Sequence, residues 1–308
     1  MTLFPTIAAL VIEQYRPLPV QSWVVAPLTR FFSFLDRQLN DGQFRHGIVA
    51  WLFGVVAPAL LLAIGYLFLA ARYPLAGLLL AVATLYLTMG FRQFSHHFTN
   101  VQLALRAGEL DHARALLAEW RGRSGDRLGS SEIARLAMEQ ALIASHRYVF
   151  APLICFSLFG PGGALFYRLA LFATEYWKDG PPETGTTRFG QFSQRAFHLI
   201  DWLPLRLTAI GFAVTGDFED ALFCWRTQSA SWPEPAQGIL LASGAGAMGV
   251  RLGLPVQDSA YGVEERPEIG LGEEADVDFM QSAIGLAWRT LVLFLLVMAL
   301  VWIAGWIN

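Results

Sequence analysis

Charge is scarce in this chain of 308 residues, and lysine is nearly missing. Asp, Glu, Lys and Arg make up 15% of it, and of its 22 basic residues all but Lys178 are arginine. The formal net charge of −3 gives no general attraction to polyanions, so nucleic acid is not an expected partner. Only two cysteines are present, Cys155 and Cys224, far apart and without C-x-x-C spacing. They read as two packed thiols, not as a disulfide framework or a metal site. The glycine-rich stretch "ASGAGAMGVRLG", residues 242–253, lacks the lysine of a phosphate-binding loop and follows no strand pattern. Its glycines read instead as close helix packing. His96 and His97 are adjacent, and neighbours on a helix point about 100° apart, so they make no bidentate metal site. The other four histidines are scattered, and no metal is expected. No G-x-S-x-G motif occurs. The N-terminus lacks the basic n-region and small-residue cleavage site of a signal peptide.

What is abundant is apolar. Hydrophobic residues make up 55% of the chain, gathered in runs that suit a membrane better than a soluble core. Residues 48–71, "IVAWLFGVVAPALLLAIGYLFLAA", carry no charge. At ~1.5 Å per residue they can cross a hydrocarbon layer of ~30 Å with some tilt, and Pro58 is expected to kink them. Beyond Arg72 and Pro74, residues 75–91 are expected to return and complete a helical hairpin. Residues 291–307 are a further uncharged run, with Trp288, Trp302 and Trp306 near its ends, where indoles favour the interface. The opening apolar stretch, residues 4–12, is too short to span and reads as interfacial or re-entrant. Residues 199–216 carry Asp201, Pro204 and Arg206 in their first turns. Charge at a bilayer centre costs roughly 2.5 kcal/mol or more, so this segment is expected to line a protein interior or a watery cavity. Residues 147–172, "RYVFAPLICFSLFGPGGALFYRLALF", are long enough to cross, but "GPGG" breaks them and Arg168 sits within. Two half-helices covered by protein, with Arg168 turned inward, reconcile these features.

The intervening segments differ in charge. Residues 92–148 hold eight arginines and residues 1–47 hold four, a bias that places both on the cytoplasmic side. Within the former, "VQLALRAGELDHARALLAEW" predicts two short helices turning at Gly108 and Glu109. "GSSEIARLAMEQ" predicts a serine-capped helix with Glu132 in its first turn. Residues 217–288 hold twelve Asp or Glu, and "YGVEERPEIGLGEEADVD" reads as an exposed loop. The expected fold is all-α: a polytopic integral membrane protein with a helical soluble insert, bathed in membrane lipid. Its parts are an interfacial segment (1–47), a transmembrane hairpin (48–91), a cytoplasmic helical insert (92–148), broken membrane helices with a polar site (149–216), an acidic soluble segment (217–288) and a C-terminal transmembrane helix (289–308).

Five stretches occur in a telling order: "LRAGELDHARALLAEWRGR", "SSEIARLAMEQ", "APLICFSLFGPGGALFYR", "RFGQFSQRAFHLIDWLPLRLTA" and "GAMGVRLGLP" followed by "YGVEERPEIG". Together they resemble the CobD/CbiB family of cobalamin-biosynthesis membrane proteins and its relative AmpE, from about residue 100 to 270 and more loosely from the N-terminus. The resemblance implies a multi-pass protein of the bacterial inner membrane. For the cobalamin branch it implies ATP- and Mg²⁺-dependent amide attachment of aminopropanol, or its phosphate, to cobyric acid. Gly122, Arg123, Glu139, Tyr167, Arg168, Arg195, Pro204 and Arg206 match the family's polar motifs, and Asp201 replaces an asparagine. Most of the family's acids and amides are replaced. Ser124 and Gly125 stand for Asp-Thr, Ile143 and Ala144 for Glu-Asn, and Arg147 for Asp. Leu171 and Thr174 stand for Asn and Asp, and Phe197 and His198 for Asp-Asp. The late H-P-S-P-N-A-G survives only as "WPEPAQG", residues 232–238.

What the resemblance implies here is therefore a site for an anion, either a corrinoid or another ligand, formed by Arg123, Glu139, Arg168, Arg195, Asp201 and Arg206. No catalytic residue is assigned, and the family's ATP and Mg²⁺ are not expected to be retained, because carboxylates that hold Mg²⁺ beside phosphates are what has been lost. Arg123, Arg168 and Arg206 are expected to converge, with Glu139 pairing one of them. Two functions stand: a part in corrinoid side-chain amidation, or a non-catalytic regulatory or sensory role of the AmpE kind. The arginine bias makes a direct prediction. Reporter fusions after Asn100 and after Arg127 should both read cytoplasmic, and one at Tyr73 should read the opposite side; a periplasmic signal at Arg127 overturns this topology.

Overall fold

The computed structural model describes residues 2–16, 18–123, 125, 127–178, 188–258 and 262–307. Ser124 and Tyr261, which belong to stretches singled out above, lie outside the described residues. Thirteen α-helices follow one another among the described residues: α1 (Leu3–Tyr15), α2 (Ala26–Leu39), α3 (Phe44–Trp51), α4 (Ala57–Arg72), α5 (Pro74–Thr88), α6 (Phe91–Arg106), α7 (Leu110–Arg121), α8 (Ser130–Ser145), α9 (Ala151–Lys178), α10 (Arg188–Thr215), α11 (Phe218–Gln228), α12 (Pro235–Met248) and α13 (Met280–Ile307). Between α12 and α13 lie five short strands: β1 (Val250–Gly253), β2 (Val256–Asp258), β3 (Gly262–Glu264), β4 (Glu268–Ile269) and β5 (Glu273–Glu274). The fold is nearly all-α, as expected. The stretch read as an exposed loop, however, forms strands, and Arg266 and Ile269 within it are buried.

Four helical stretches are long and apolar enough to cross a membrane: Phe44–Arg72, Ser130–Lys178, Arg188–Thr215 and Met280–Gly305. The expected return arm at residues 75–91 is shorter than a span. Helix α5 has 15 residues, about 22 Å against a hydrocarbon layer of about 30 Å. It ends at Thr88 because Met89 is extended.

Three copies of one short pattern organise the proline-bearing helices. In Val24-Val25-Ala26-Pro27, Val55-Val56-Ala57-Pro58 and Val149-Phe150-Ala151-Pro152 the Ala-Pro pair directly follows a π-helical turn, at Gln21–Val25, Leu52–Val56 and His146–Phe150. In the first two, the alanine N–H reaches back five residues, Ala26 to the Gln21 carbonyl and Ala57 to the Leu52 carbonyl. Proline has no N–H to offer and its ring collides with the carbonyl four residues back. The wider turn moves that carbonyl out of register, so the helix continues through the proline. At Pro58, where a kink is expected, the helix carries this turn just before the proline.

Contacts divide the chain into two compact units. The first comprises Met1–Gly90, Arg147–Pro204 and Met298–Asn308. Its core is aromatic: Phe32, Trp51, Tyr167, Trp177, Phe189 and Phe197 are buried together. Phe32 lies 5.2 Å from Trp177, and Trp177 lies 5.3 Å from Phe189 in an edge-on contact. The break in α9 falls where "GPGG" predicts it. Gly160 has φ 67° and ψ −159°, a conformation suited to glycine, and Pro161 starts the second half. The following glycines permit close approach: a Cβ at Gly162 would sit 2.7 Å from that of Ala63, and one at Gly163 would sit 2.4 Å from the Cys155 carbonyl oxygen.

The second unit comprises Phe91–His146 and Leu205–Val297. The helical insert and the acidic segment, separate in sequence, thus belong to one body. Helices α6 and α7 turn at Gly108, with φ 74°. Helix α8 is capped by Gly129, not by serine: the Glu132 carboxylate accepts the Gly129 N–H at 2.7 Å, while Ser131 donates to the Ala275 carbonyl at 2.8 Å. Strand β1 is central in a three-stranded sheet, antiparallel to β4 and parallel to β5, and β2 pairs with β3. Helix α12 carries the small-residue run, and its glycines admit neighbours, as read from sequence. A Cβ at Gly244 would lie 2.7 Å from Leu142, and one at Gly246 would lie 2.5 Å from the Asp220 carbonyl oxygen. Gly246→Ala should therefore cost about 1–3 kcal/mol by overpacking. Gly65→Ala, where the added methyl meets open space, should be neutral or gain up to about 1 kcal/mol of helix propensity. Thermal unfolding of the two detergent-solubilised variants checks the difference.

Candidate anion-binding site

A buried carboxylate is costly unless paired and hydrogen-bonded, so buried acids mark where a fold has invested. In the second unit that acid is Glu139, on α8. Its Oε1 accepts the Gly253 backbone N–H at 2.9 Å, and its Oε2 forms an ion pair with the Arg266 Nη2. The two side chains are 8% and 5% exposed. Arg266, between β3 and β4, also lies over the Trp232 ring, 4.8 Å from its centroid. Trp232 opens the "WPEPAQG" stretch. The geometry explains the local sequence: Gly253 has φ 80°, and a Cβ there would lie 2.0 Å from the Pro267 carbonyl oxygen, so only glycine lets β1 approach this closely.

More arginines gather on the same unit. Arg135 lies one turn before Glu139 on α8, hence on the same face. It is 7% exposed, and its Nη2 donates to the Pro255 carbonyl at a long 3.4 Å. Arg121 ends α7, and burial pulls its pKa below the ordinary arginine value, with Glu139 partly offsetting the effect. Arg123 follows Gly122, which has φ 69°, and pairs with Glu264 at 3.4 Å with both side chains well exposed. Such a surface pair contributes about 1 kcal/mol or less.

The residues selected from sequence are divided between the two units. Arg123, Glu139 and Arg206 belong to the second unit, and Arg168, Arg195 and Asp201 to the first. The partner of Glu139 is Arg266, and not Arg123, Arg168 or Arg206 as expected. Arg206 is half-buried on α10. In the first unit Tyr167 donates its hydroxyl to Asp201 Oδ1 at 2.9 Å, both residues buried. Arg168 lies over the Tyr148 ring at 4.6 Å, and Arg195 over the Phe44 ring at 5.7 Å. Arg135 and Arg266 were missed from sequence. Arg266 sits in an acidic run that looks solvent-facing, and nothing local to it reveals a carboxylate 127 positions away. Both cysteines are free and buried, and burial raises the Cys224 thiol to about 11, so it offers no nucleophilic thiolate at neutral pH.

Residues 6–287 match the family described as CobD/Cbib protein. The chain belongs to that family. Among its relatives, a cobalamin biosynthesis protein CobD of Stutzerimonas stutzeri (strain A1501) is 32% identical over 98% of this chain and 97% of its own length. One of the same name from Chromobacterium violaceum is 34% identical over 71% of this chain and 69% of its own. Another from Leptospira interrogans is 27% identical over 58% and 57%. No solved structure matches the chain.

The Glu139–Arg266 pair makes a measurable claim. Glu139→Leu leaves a buried guanidinium unpaired and should cost about 3–5 kcal/mol, as should Arg266→Met. The double variant should lose much less than the sum of the two. Unfolding of the three variants by denaturant tests this; additive losses would show the pair to be uncoupled.

Proposed function

We propose that this protein serves cobalamin biosynthesis in the bacterial inner membrane, as a multi-pass protein that holds an anionic group of a corrinoid or of the aminopropanol phosphate joined to it. The observation that carries this reading is the near full-length family match together with a polar core still rich in arginine. Planar guanidinium groups suit carboxylates and phosphates. Membrane placement is supported by the four long apolar helical stretches and by their outward side chains. Leu61, Ile64, Leu67 and Phe68 on α4, and Val292, Leu296, Leu300 and Val301 on α13, are each more than half exposed, an arrangement suited to lipid.

The family resemblance implies ATP and Mg²⁺ for the amide-forming step. The residues present do not fit the metal. Among the described residues no group of three or more His, Cys, Asp or Glu side chains is placed to hold an ion. The positions where the family writes acids or amides carry buried Ala144, Leu171 and Phe197, and Thr174 spends its hydroxyl on the Ala170 carbonyl at 2.9 Å. We derive no ATP-dependent step for this chain. The same replacements favour a second reading, a regulatory or sensory role of the AmpE kind, in which the site binds without chemistry.

Two strains test these readings. Deleting the gene in its own host should lower corrinoid content; unchanged corrinoid with an altered cell wall would pass the decision to the second reading. Expressed in a strain lacking the cobalamin amide-forming enzyme, the protein should not restore corrinoid-dependent growth. Restored growth would show that the lost carboxylates are dispensable.

A further inference from the structure

We infer that residues 147–178 do not cross the bilayer but form a re-entrant helical hairpin, entering and leaving at one face, with its tip, Leu158 and Phe159, held among phospholipid acyl chains. The inference goes beyond the reading above. It rests on the membrane placement in that reading and not on any corrinoid.

The stretch Ser130–Lys178 has the length and composition of a span, yet the contacts beyond Arg147 are those of two antiparallel arms. Arg147 Nη1 lies 3.5 Å from Glu175 Oε1. The two residues are 28 positions apart, and an unbroken helix would hold them about 42 Å from each other. Arg168 lies 4.6 Å from the centroid of the Tyr148 ring, and Gly163 lies against the Cys155 carbonyl. Each contact joins one arm to the other, and the partners draw closer in sequence toward Gly160, whose φ of 67° and ψ of −159° turn the chain back. Helix α10 then follows the second arm in the opposite direction. Gly190 lies against the Trp177 carbonyl, Thr174 Oγ1 donates to the Ser193 carbonyl at 3.1 Å, and Tyr167 reaches Asp201 at 2.9 Å. Helix α10 therefore starts beside the open end of the hairpin and runs back along it.

Polarity is graded along the hairpin. Residues 149–167 carry no charge. Arg147 and Glu175 stand at the open end with exposed Lys178, and Arg168 is turned toward the same end by Tyr148. The tip is apolar: Leu158 is 54% exposed and Phe159 72%. Ser157 beside them keeps its hydroxyl on the Leu153 carbonyl at 2.8 Å. Such a tip suits hydrocarbon, whereas water would favour polar side chains at a turn. In hydrocarbon a reversal is costly wherever it leaves a backbone group unpaired. Pro161, first in the second arm, has no N–H to leave, and Gly162 lets that arm close onto α4 at Ala63. From Arg147 to Phe159 the first arm rises about 18 Å, short of a hydrocarbon layer of about 30 Å. The tip thus ends inside the layer, and Arg147 and Lys178 share one side of it.

The test uses cysteine variants of the full-length protein in native membranes, with the buried Cys155 and Cys224 replaced by alanine. A membrane-impermeant maleimide is applied to spheroplasts and to inverted vesicles. Arg147→Cys and Lys178→Cys should be labelled from the same face; labelling from opposite faces overturns the hairpin. Should Arg147→Cys fail to fold, Arg127→Cys, in the same arginine-rich segment, takes its place. A short bismaleimide should join Arg147→Cys to Glu175→Cys within one chain, but not Arg147→Cys to Phe159→Cys, about 18 Å away. Failure to join the first pair also counts against the hairpin. A spin label at Phe159→Cys should be relaxed more by oxygen than by a water-soluble nickel chelate. The reverse order would put the tip in a watery cavity and overturn its contact with lipid. Release of the unaltered protein by alkaline carbonate would instead overturn membrane placement itself. The corrinoid reading stands or falls on its own genetic test, so the two can fail separately.

Discussion

One buried carboxylate organises the second unit. Glu139 ties helix α8 to strand β1 through the Gly253 N–H and to the β3–β4 connection through Arg266. Its cost of desolvation is offset only because both oxygens are used at once. Gly253 is forced by the same closeness, and Trp232 completes the far side of Arg266 with its ring face. These strands are two to four residues long, too short to define a sheet alone. The ion pair, in a low-dielectric setting, gives them a fixed attachment.

The first unit is held differently. Its core is a set of edge-on aromatic contacts among Phe32, Trp51, Trp177, Phe189 and Phe192, and glycines bring helices within backbone distance. Where lipid supplies no hydrophobic drive between helices, close packing of small residues becomes the main source of association. The three Ala-Pro junctions serve this end. A π-helical turn before each carries the helix past a proline that has no N–H to donate. Tyr167 and Asp201 add a buried polar link beside this aromatic core.

The polar groups of the chain thus perform two tasks. Glu139 and Arg266 form one buried pair and Tyr167 and Asp201 another, and each holds its own unit. Arg135, one turn before Glu139 on α8, is buried with its Nε lacking a hydrogen-bond partner. Burial without a partner marks a group that the fold alone does not explain. Leu171 and Phe197 pack within the apolar core of the first unit.

Sequence by itself determined what local chemistry governs. Uninterrupted apolar runs fixed the helices over residues 48–71 and 291–307. "GPGG" fixed the break at Gly160, Gly108 fixed the turn between α6 and α7, and the small residues of α12 announced its close packing. Each rests on backbone preference or periodicity within a few residues. Tertiary structure alone decided the partner of Glu139, the burial of Arg135, the strands within an acidic run, and the end of α5 at Thr88. Those outcomes depend on groups far apart in the chain being brought into one low-dielectric place. There a charge selects whichever opposite charge and N–H the fold delivers, and no spacing in the sequence encodes that choice.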